Sequence, residues 1–363
     1  MAKRIALVLQ RPSAPTERDT QGLRTTRDYL FPEMFDRTYD SSSVEPPKNA
    51  VEAKVPGWLR LAQTVHARRH EYDAIVSWGE RVTLALMAMD AMTSDKKPHI
   101  ALLGRYSKPN VRVPLKLFGK QLLASVTWCE VQRNFAISHS DVGPEKIFFV
   151  PHYVDDVFWN PDRLGPGELT NDIISSAGAE NRDFATLIEA LRGSSIPCQI
   201  ASSHVRIDGL FRAQHIDAAQ LIAGASSNVT MTPKNRVELR QMYGRSRFVV
   251  LPLMPSNVDN GVTVLLEAMA MGKAVICSGT EGQVGVVEHG VTGLYVPPRD
   301  PAAMRRAIEE LWNDPERAAA MGRAGREFAL RRHRLDMFCS GVKQAVDAAL
   351  AGGSATADGR VNA

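Results

Sequence analysis

No stretch of this chain approaches the length needed to cross a bilayer as a helix, and its cysteines are few: Cys129, Cys198, Cys277 and Cys339. They lie far apart and none stands at a metal-ligand spacing, which argues against both a disulfide framework and a zinc site. Free thiols in turn point to a reducing compartment. An excess of one charge is also lacking. The 44 Lys and Arg nearly balance the 40 Asp and Glu, leaving +4, which suits anionic ligands but does not by itself indicate nucleic acid. Residues 1–10 hold basic residues and an apolar run, yet that run is too short for a secretory leader and no cleavage site follows it. A cytoplasmic location is the expectation. With 363 residues, 44% hydrophobic and 23% charged, the chain has the composition of a soluble globular protein and the length for two domains with a core each.

What is present is one organising stretch, 249–298. Residues 248–251 form an apolar run of strand length, closed by Pro252 and Pro255, and 256–261 (SNVDNG) is turn chemistry. From Val262 the pattern becomes VTVLLEAMAM, rich in helix formers, with Gly272 at the expected helix end and a second short strand at 274–277. Strand, tight turn, helix and strand make a βαβ unit, whose crossover sets the turn at the carboxyl edge of the sheet. The N–H groups of Gly261, Val262 and Thr263 then point into that edge with the positive end of the helix dipole behind them, an arrangement suited to phosphate. Glu267 is the only charge in this helix. On the residues alone it reads as a solvated position, with Asp259 or Asn260 capping the helix.

Asp259 and Glu267 at this spacing, followed by AMAMGKAVICS and by HGVTGLYVPPRDP, resemble the signature of the retaining glycosyltransferases of family 4, which have the GT-B fold. The resemblance implies an α/β protein with two Rossmann-like, doubly wound domains facing across a cleft. It implies that Glu267 holds the ribose hydroxyls of a nucleotide-sugar and that residue 259, a glutamate in the family and Asp here, faces the donor sugar. It also implies domains at 1–160 (acceptor) and 161–334 (donor), a helix at 335–350 packing back on the first domain, and a polar tail at 351–363, read from its composition as disordered.

The rest of the chain fits this frame with departures. Residues 5–9 read as the first strand, and 11–24 as a polar loop too long for a simple connector. A helix near 26–35 and an irregular stretch, SSSVEPPKN, precede a helix at 58–70 and a strand at 72–77. Glu80 follows that strand and reads first as a cap for the next helix. After the strand at 99–103, relatives often carry a histidine following the glycine; here Arg105 follows Gly104. Arginine cannot accept a proton but can contact a phosphate or an anionic acceptor. Arg105, Lys108, Arg112, Lys116 and Lys120 form a basic run interleaved with Val113, Leu115, Leu117 and Phe118. This is either a solvated helix face or a patch for an anionic acceptor or a membrane surface.

Residues 135–138 and 147–150 read as strands flanking the interdomain connection, and His139 and His152 as loop histidines or cleft-lining groups. In the second domain, the loop 178–183 between a strand at 172–176 and a helix at 184–191 is the family's source of cations for the donor pyrophosphate. Gly178 opens it, Arg182 takes the place of the usual lysine, and Ala179 stands where an arginine is common. Segments 199–202 and 229–232 are expected to frame the nucleotide base, and helices to follow at 237–243, 301–312 and 316–331.

The resemblance implies transfer with retention at the anomeric carbon, with Asp259, Arg105 and Arg182 near the reacting groups. The donor site would be Gly178, Arg182, Asn260, Gly261, Val262, Thr263 and Glu267. No Asp-x-Asp pair accompanies this site, so no metal or other cofactor is expected; the nucleotide-sugar is a co-substrate, with uridine favoured by family frequency. The acceptor is open. Two alternatives remain: a nucleotide-sugar-binding protein of impaired activity, and a sugar-nucleotide epimerase or phosphorylase of the same fold.

Overall fold

The computed structural model describes residues 3–9, 33–35, 40–44, 55–207, 214–283 and 285–361. The long loop expected at 11–24 lies outside them, as does most of the helix expected near 26–35. The chain divides into two compact units: one holds the described residues up to Pro151 and those from Asp336 onward, the other His152–Leu335.

The first unit is built on a six-stranded parallel sheet in the order β2-β1-β3-β4-β5-β6. Its strands are β1 (Arg4–Leu9), β2 (Asp40–Val44), β3 (Ala74–Trp78), β4 (His99–Leu102), β5 (Ala124–Thr127) and β6 (Ile147–Phe149). The helices α1 (Gly57–Ala67), α2 (Glu80–Ala91), α3 (Pro109–Phe118) and α4 (Glu130–His139) make the crossovers. The inner strands are buried along almost their whole length, as both-sided cover by helices requires. Two expectations are corrected. Residues 40–44, which include the start of the stretch read as irregular, pair in parallel with β1, so an edge position accepts a sequence of low strand propensity. Residues 135–138 lie in α4, not in a strand; Gln132, Arg133 and Ala136 form its buried side at helical spacing, a pattern that a four-residue apolar run cannot distinguish from a strand.

The second unit repeats the plan. Its main sheet, in the order β11-β8-β7-β12-β13-β14, is again all parallel. The strands are β7 (Ile173–Ala177), β8 (Cys198–Ala201), β11 (Val229–Thr232), β12 (Ser246–Leu251), β13 (Ala274–Ser278) and β14 (Gly293–Val296), with β9 (His204–Ile207) and β10 (Gln214–Asp217) in a separate antiparallel pair. The helices are α5 (Phe184–Ala190), α6 (Ala218–Ile222), α7 (Arg236–Arg245), α8 (Val262–Ala270), α9 (Pro301–Asn313) and α10 (Pro315–Arg332). Residues 152–160, assigned from sequence to the first domain, pack here: Val154, Phe158 and Trp159 belong to the core that contains α8. The strand order reverses between β7 and β12, which makes the loops after these two strands the sheet's switch point.

The final helix, α11 (Leu335–Leu350), lies with the first unit; the Phe338 ring is 5.6 Å from that of Trp78. The segment after it, expected to be disordered, is tied down. Phe149 N–H donates to Gly359 O at 2.8 Å, and Arg133 Nη2 donates to Ala357 O at 2.7 Å. Composition does not reveal such backbone anchoring.

In the second unit α10 crosses the start of β13 so closely that a Cβ on Gly322 would collide with the backbone carbonyl of Gly272 and lie 3.1 Å from Ala274 N. Alanine is worth about 1 kcal/mol over glycine inside a free helix. At this contact it must force the helix off the sheet, so Gly322→Ala is expected to destabilise by about 1–3 kcal/mol. Thermal unfolding checks this; an increase in Tm would contradict the close packing.

Candidate functional site

The switch-point loops of the second unit bring most of the residues singled out in the sequence to one place. β12 runs into Pro252, and the chain then turns through Ser256–Gly261 to start α8. Gly261 is the residue before the helix and has φ 83, a left-handed conformation that costs a Cβ-bearing residue about 1 kcal/mol or more. No side chain caps the helix, so the capping role considered for Asp259 and Asn260 is not the one they have. Asn260 Nδ2 instead donates to Ser256 Oγ at 2.8 Å, and its carbonyl accepts from Gln283 Nε2. Gly282 N–H donates to Ser256 O at 3.1 Å, and a Cβ there would run into the Val258 backbone. The turn is thus gripped from its outer side.

Of the three N–H groups expected to be open, that of Val262 donates to Asp259 O at 3.3 Å. Those of Gly261 and Thr263 have no partner among the described residues. Behind them α8 is buried along its length except at Thr263, so its dipole acts through a medium with little water to screen it.

Arg182 is the cation of this site. It is 5% exposed, and it is fixed by Nε donating to Ala177 O at 2.9 Å and Nη1 to Glu180 O at 2.7 Å. Both acceptors are neutral carbonyls, and among the described residues Arg182 pairs with no carboxylate. Burial lowers its pKa to about 10, so it stays charged at neutral pH. The backbone around it is zipped to the neighbouring loop: Asp183 N–H donates to Pro252 O at 3.1 Å, and Met254 N–H to Asn181 O at 3.0 Å. Two glycines make room for the guanidinium. A Cβ on Gly178 would stand 2.5 Å from Nη2, and one on Gly261 would stand 3.1 Å from both Nη1 and Nη2 and 2.8 Å from Leu251 Cδ2. The loop after β7 and the helix start after β12 therefore meet at one buried positive charge.

Glu267, read on the residues alone as solvated, is 5% exposed. Its Oε2 accepts from Tyr243 Oη at 3.5 Å. Burial pushes the carboxyl up to about 7 against the opposing pull of Arg236 and of the Tyr243 hydroxyl. Tyr243 sits 5.6 Å from the Trp159 ring, and the Arg236 guanidinium lies 5.1 Å from Phe158 and 5.2 Å from Trp159. Tyr243, Arg236 and Gln283 were not singled out from sequence. The spacing of Arg236 and Tyr243, two turns apart on one helix, was the only available signal, and it does not point to Glu267 without a structure.

Arg105 belongs to the first unit. It follows Gly104 at the carboxyl end of β4, where Gly104 N–H donates to Glu80 Oε1 at 3.4 Å; Glu80 caps no helix by its side chain. His152 is half-buried, with its pKa lowered to about 4 by desolvation, and it accepts from Tyr153 N–H at 2.7 Å; its carbonyl lies 2.7 Å from His333 Nδ1. His139 ends α4, stacked on Phe135. All four cysteines are buried free thiols. Among the described residues no three His, Cys, Asp or Glu side chains converge as metal ligands.

A buried arginine, two amides without a partner among the described residues and a helix dipole have the chemistry to hold an oxyanion, and the carboxylate of Glu267 that to accept from hydroxyls. Comparison with known proteins finds a family match over the part of the chain that holds the start of α8 and Glu267. Residues 186–328 match the family of glycosyl transferases group 1. A D-rhamnosyltransferase, WbpZ of Pseudomonas aeruginosa, is 35% identical over 143 residues, which is 38% of this chain and 34% of that protein. A GDP-mannose-dependent alpha-(1-6)-phosphatidylinositol monomannoside mannosyltransferase of Mycobacterium tuberculosis is 42% identical over 73 residues, 20% of this chain and 19% of its own length. The chain thus spans about a third or less of the length of these curated relatives. Among solved structures, sucrose-phosphate synthase of Thermosynechococcus elongatus superposes with a TM-score of 0.72 at 15% identity, over 96% of this chain and 100% of that one. Anabaena HepE, solved in complex with UDP and glucose, gives 0.68 at 14% identity over 95% and 99%. The fold is GT-B, with two Rossmann-like halves.

Gly261→Ala tests the anion site. The added methyl meets Leu251 and the Arg182 guanidinium in a left-handed backbone, so the fold is expected to lose about 1 kcal/mol or more, and affinity for a nucleoside diphosphate, measured well below the variant's Tm, to fall about ten-fold or more. Calorimetric titration measures this; unchanged affinity would separate Gly261 from the ligand.

Proposed function

We propose that the chain is a metal-independent, retaining glycosyltransferase that takes a hexose from a nucleoside-diphosphate sugar, with uridine as the base. The observation that carries this reading is Arg182, a buried cation with neutral carbonyl partners beside the open amides of Gly261 and Thr263. Such a site gains most when a second, negative charge enters it. The diphosphate of the donor supplies that charge, with its ribose hydroxyls on Glu267 and the sugar toward Asp259. During transfer the bond between the anomeric carbon and the β-phosphate oxygen breaks, a bond from that carbon to an acceptor oxygen forms on the same face, and the acceptor's proton passes to the departing phosphate. Arg182 and the helix start are in place before charge develops on that phosphate, and each such interaction is worth about 2.7–4 kcal/mol in a dry site. They supply the positive charge for which other enzymes use a metal. Arg105, at the carboxyl edge of the first unit, is assigned to the acceptor or its anionic group.

The names of similar proteins favour different bases, UDP for HepE and GDP-mannose for the mycobacterial mannosyltransferase. A thermal-shift panel of UDP, GDP, ADP, dTDP and CDP on wild type and Glu267→Ala decides between them. A ligand at about a hundred times its Kd stabilises by about 2.7 kcal/mol. One nucleotide should give a shift that disappears in the variant; no shift with any of them would overturn the donor site. Binding without turnover of the matching nucleotide-sugar would favour the impaired binding protein, and isomerisation without an acceptor the epimerase.

The Glu267 carboxyl also fixes a pH dependence. Its pKa is raised from the ordinary 4.5 to about 7, so the folded state holds the proton more tightly than the unfolded one. Its contribution to stability is full below 4.5 and is lost as pH rises through 7. Ribose hydroxyls bind better to the carboxylate than to the acid, so nucleotide affinity is expected to rise as pH increases across this range. Glu267→Gln should lose that part of the rise. Calorimetry at several pH values compares the two slopes, and identical slopes would remove Glu267 from the ribose.

A further inference from the structure

The opposite edge of the first unit's sheet carries a feature that nucleotide-sugar transfer does not use. Because β3, β4 and β5 are parallel, α2 and α3 both run back to the amino edge, and the two helices pack on one another. Val111 and Leu115 are the buried side of α3. Its outward side nevertheless exposes Val113 at 53% and Leu117 at 68%, and Met92, just past the end of α2, is 82% exposed. Three of the six large apolar side chains exposed among the described residues therefore lie on or directly after two adjoining helices. The same segment is cationic. From Lys96 to Cys129 the chain contains no Asp or Glu. Arg112 and Lys116 alternate with Val113 and Leu117 and make no ion pair among the described residues. The flanking acids are Asp95, 3.1 Å from Lys97 and 3.7 Å from Arg69, and Asp141, 3.7 Å from Lys120.

We propose that this face of α2 and α3 docks on an anionic lipid bilayer, with Met92, Val113 and Leu117 entering the headgroup region and Arg112, Lys116 and Lys120 meeting lipid phosphates. Two independent features select that partner. Exposed aliphatic side chains gain free energy only where they leave water, and cations interleaved with them gain from a negative surface. A nucleic acid would use the cations but give Val113 and Leu117 nothing. Docking through the amino edge leaves the carboxyl edge of this sheet, with Arg105, open. The proposal does not depend on the donor assignment, since none of these residues belongs to that site.

Co-sedimentation of the full chain with vesicles tests it. In about 0.1 M salt, vesicles with about one third phosphatidylglycerol should pellet at least about five-fold more protein than pure phosphatidylcholine, and about 1 M salt should release most of it. Val113→Glu with Leu117→Glu, and separately Arg112→Glu with Lys116→Glu, should each reduce pelleting to the neutral-vesicle level while Tm and nucleotide binding stay at wild-type values. If the glutamate variants unfold, Leu117→Ser with Lys116→Gln replaces them and should lower pelleting in the same direction. Equal pelleting on both vesicles, full pelleting by folded variants, or retention on an oligonucleotide column in place of the vesicles would overturn the proposal.

Discussion

Arg182, one of the buried cations of the second unit, sets the requirements for the candidate site. Arg182 is removed from water and held by two carbonyl oxygens, which orient a guanidinium but do not neutralise it. Leaving a charge in that condition is costly unless something else compensates. The neighbouring geometry is arranged around the same need. The absence of a Cβ at Gly178 and Gly261 leaves room for the guanidinium, and the reciprocal bonds between 181–183 and 252–254 hold the two loops together beside it. The open amides at the start of α8 add positive potential from the other side.

The parallel sheet makes this convergence possible. With β7 and β12 adjacent at the point where the strand order reverses, the loops that follow them diverge on opposite faces and leave a crevice at their carboxyl ends. The packing behind the crevice is rigid: α8 is buried on nearly all sides, and α10 lies against β13 with no room for a methyl at Gly322. Glu267 is held by the same helix, two layers deep over Tyr243 and Trp159. Its carboxyl and the Arg182 guanidinium are therefore set at fixed places on one scaffold, as binding a diphosphate and its ribose together would require.

Much of this was legible in the sequence. The order strand, turn, helix, strand around Gly261 follows from turn residues and from the change of period, and the structure has it at Ser246–Leu251, Val262–Ala270 and Ala274–Ser278. Resemblance directed attention to Arg182 and Gly178. Burial of charge was not legible, because a lone glutamate in an apolar helix is ordinarily the exposed one; hence Glu267 read as solvated. Tyr243 and Arg236 were missed because their relation to Glu267 exists only across α7 and α8. The strand at 40–44 was hidden by its polar residues, and α4 by a run of four apolar ones. The anchored tail depends on backbone bonds that any residues could make.

Hydrogen exchange at the amides of Gly261 and Thr263, with and without the nucleoside diphosphate that stabilises the protein, is the most direct measurement. These N–H groups have no partner among the described residues, so they should exchange rapidly in the free protein and be protected, together with the segment 178–183, when the diphosphate binds. Binding that leaves 259–264 exchanging as before, with protection elsewhere, would contradict the assignment of the diphosphate to Arg182 and the start of α8.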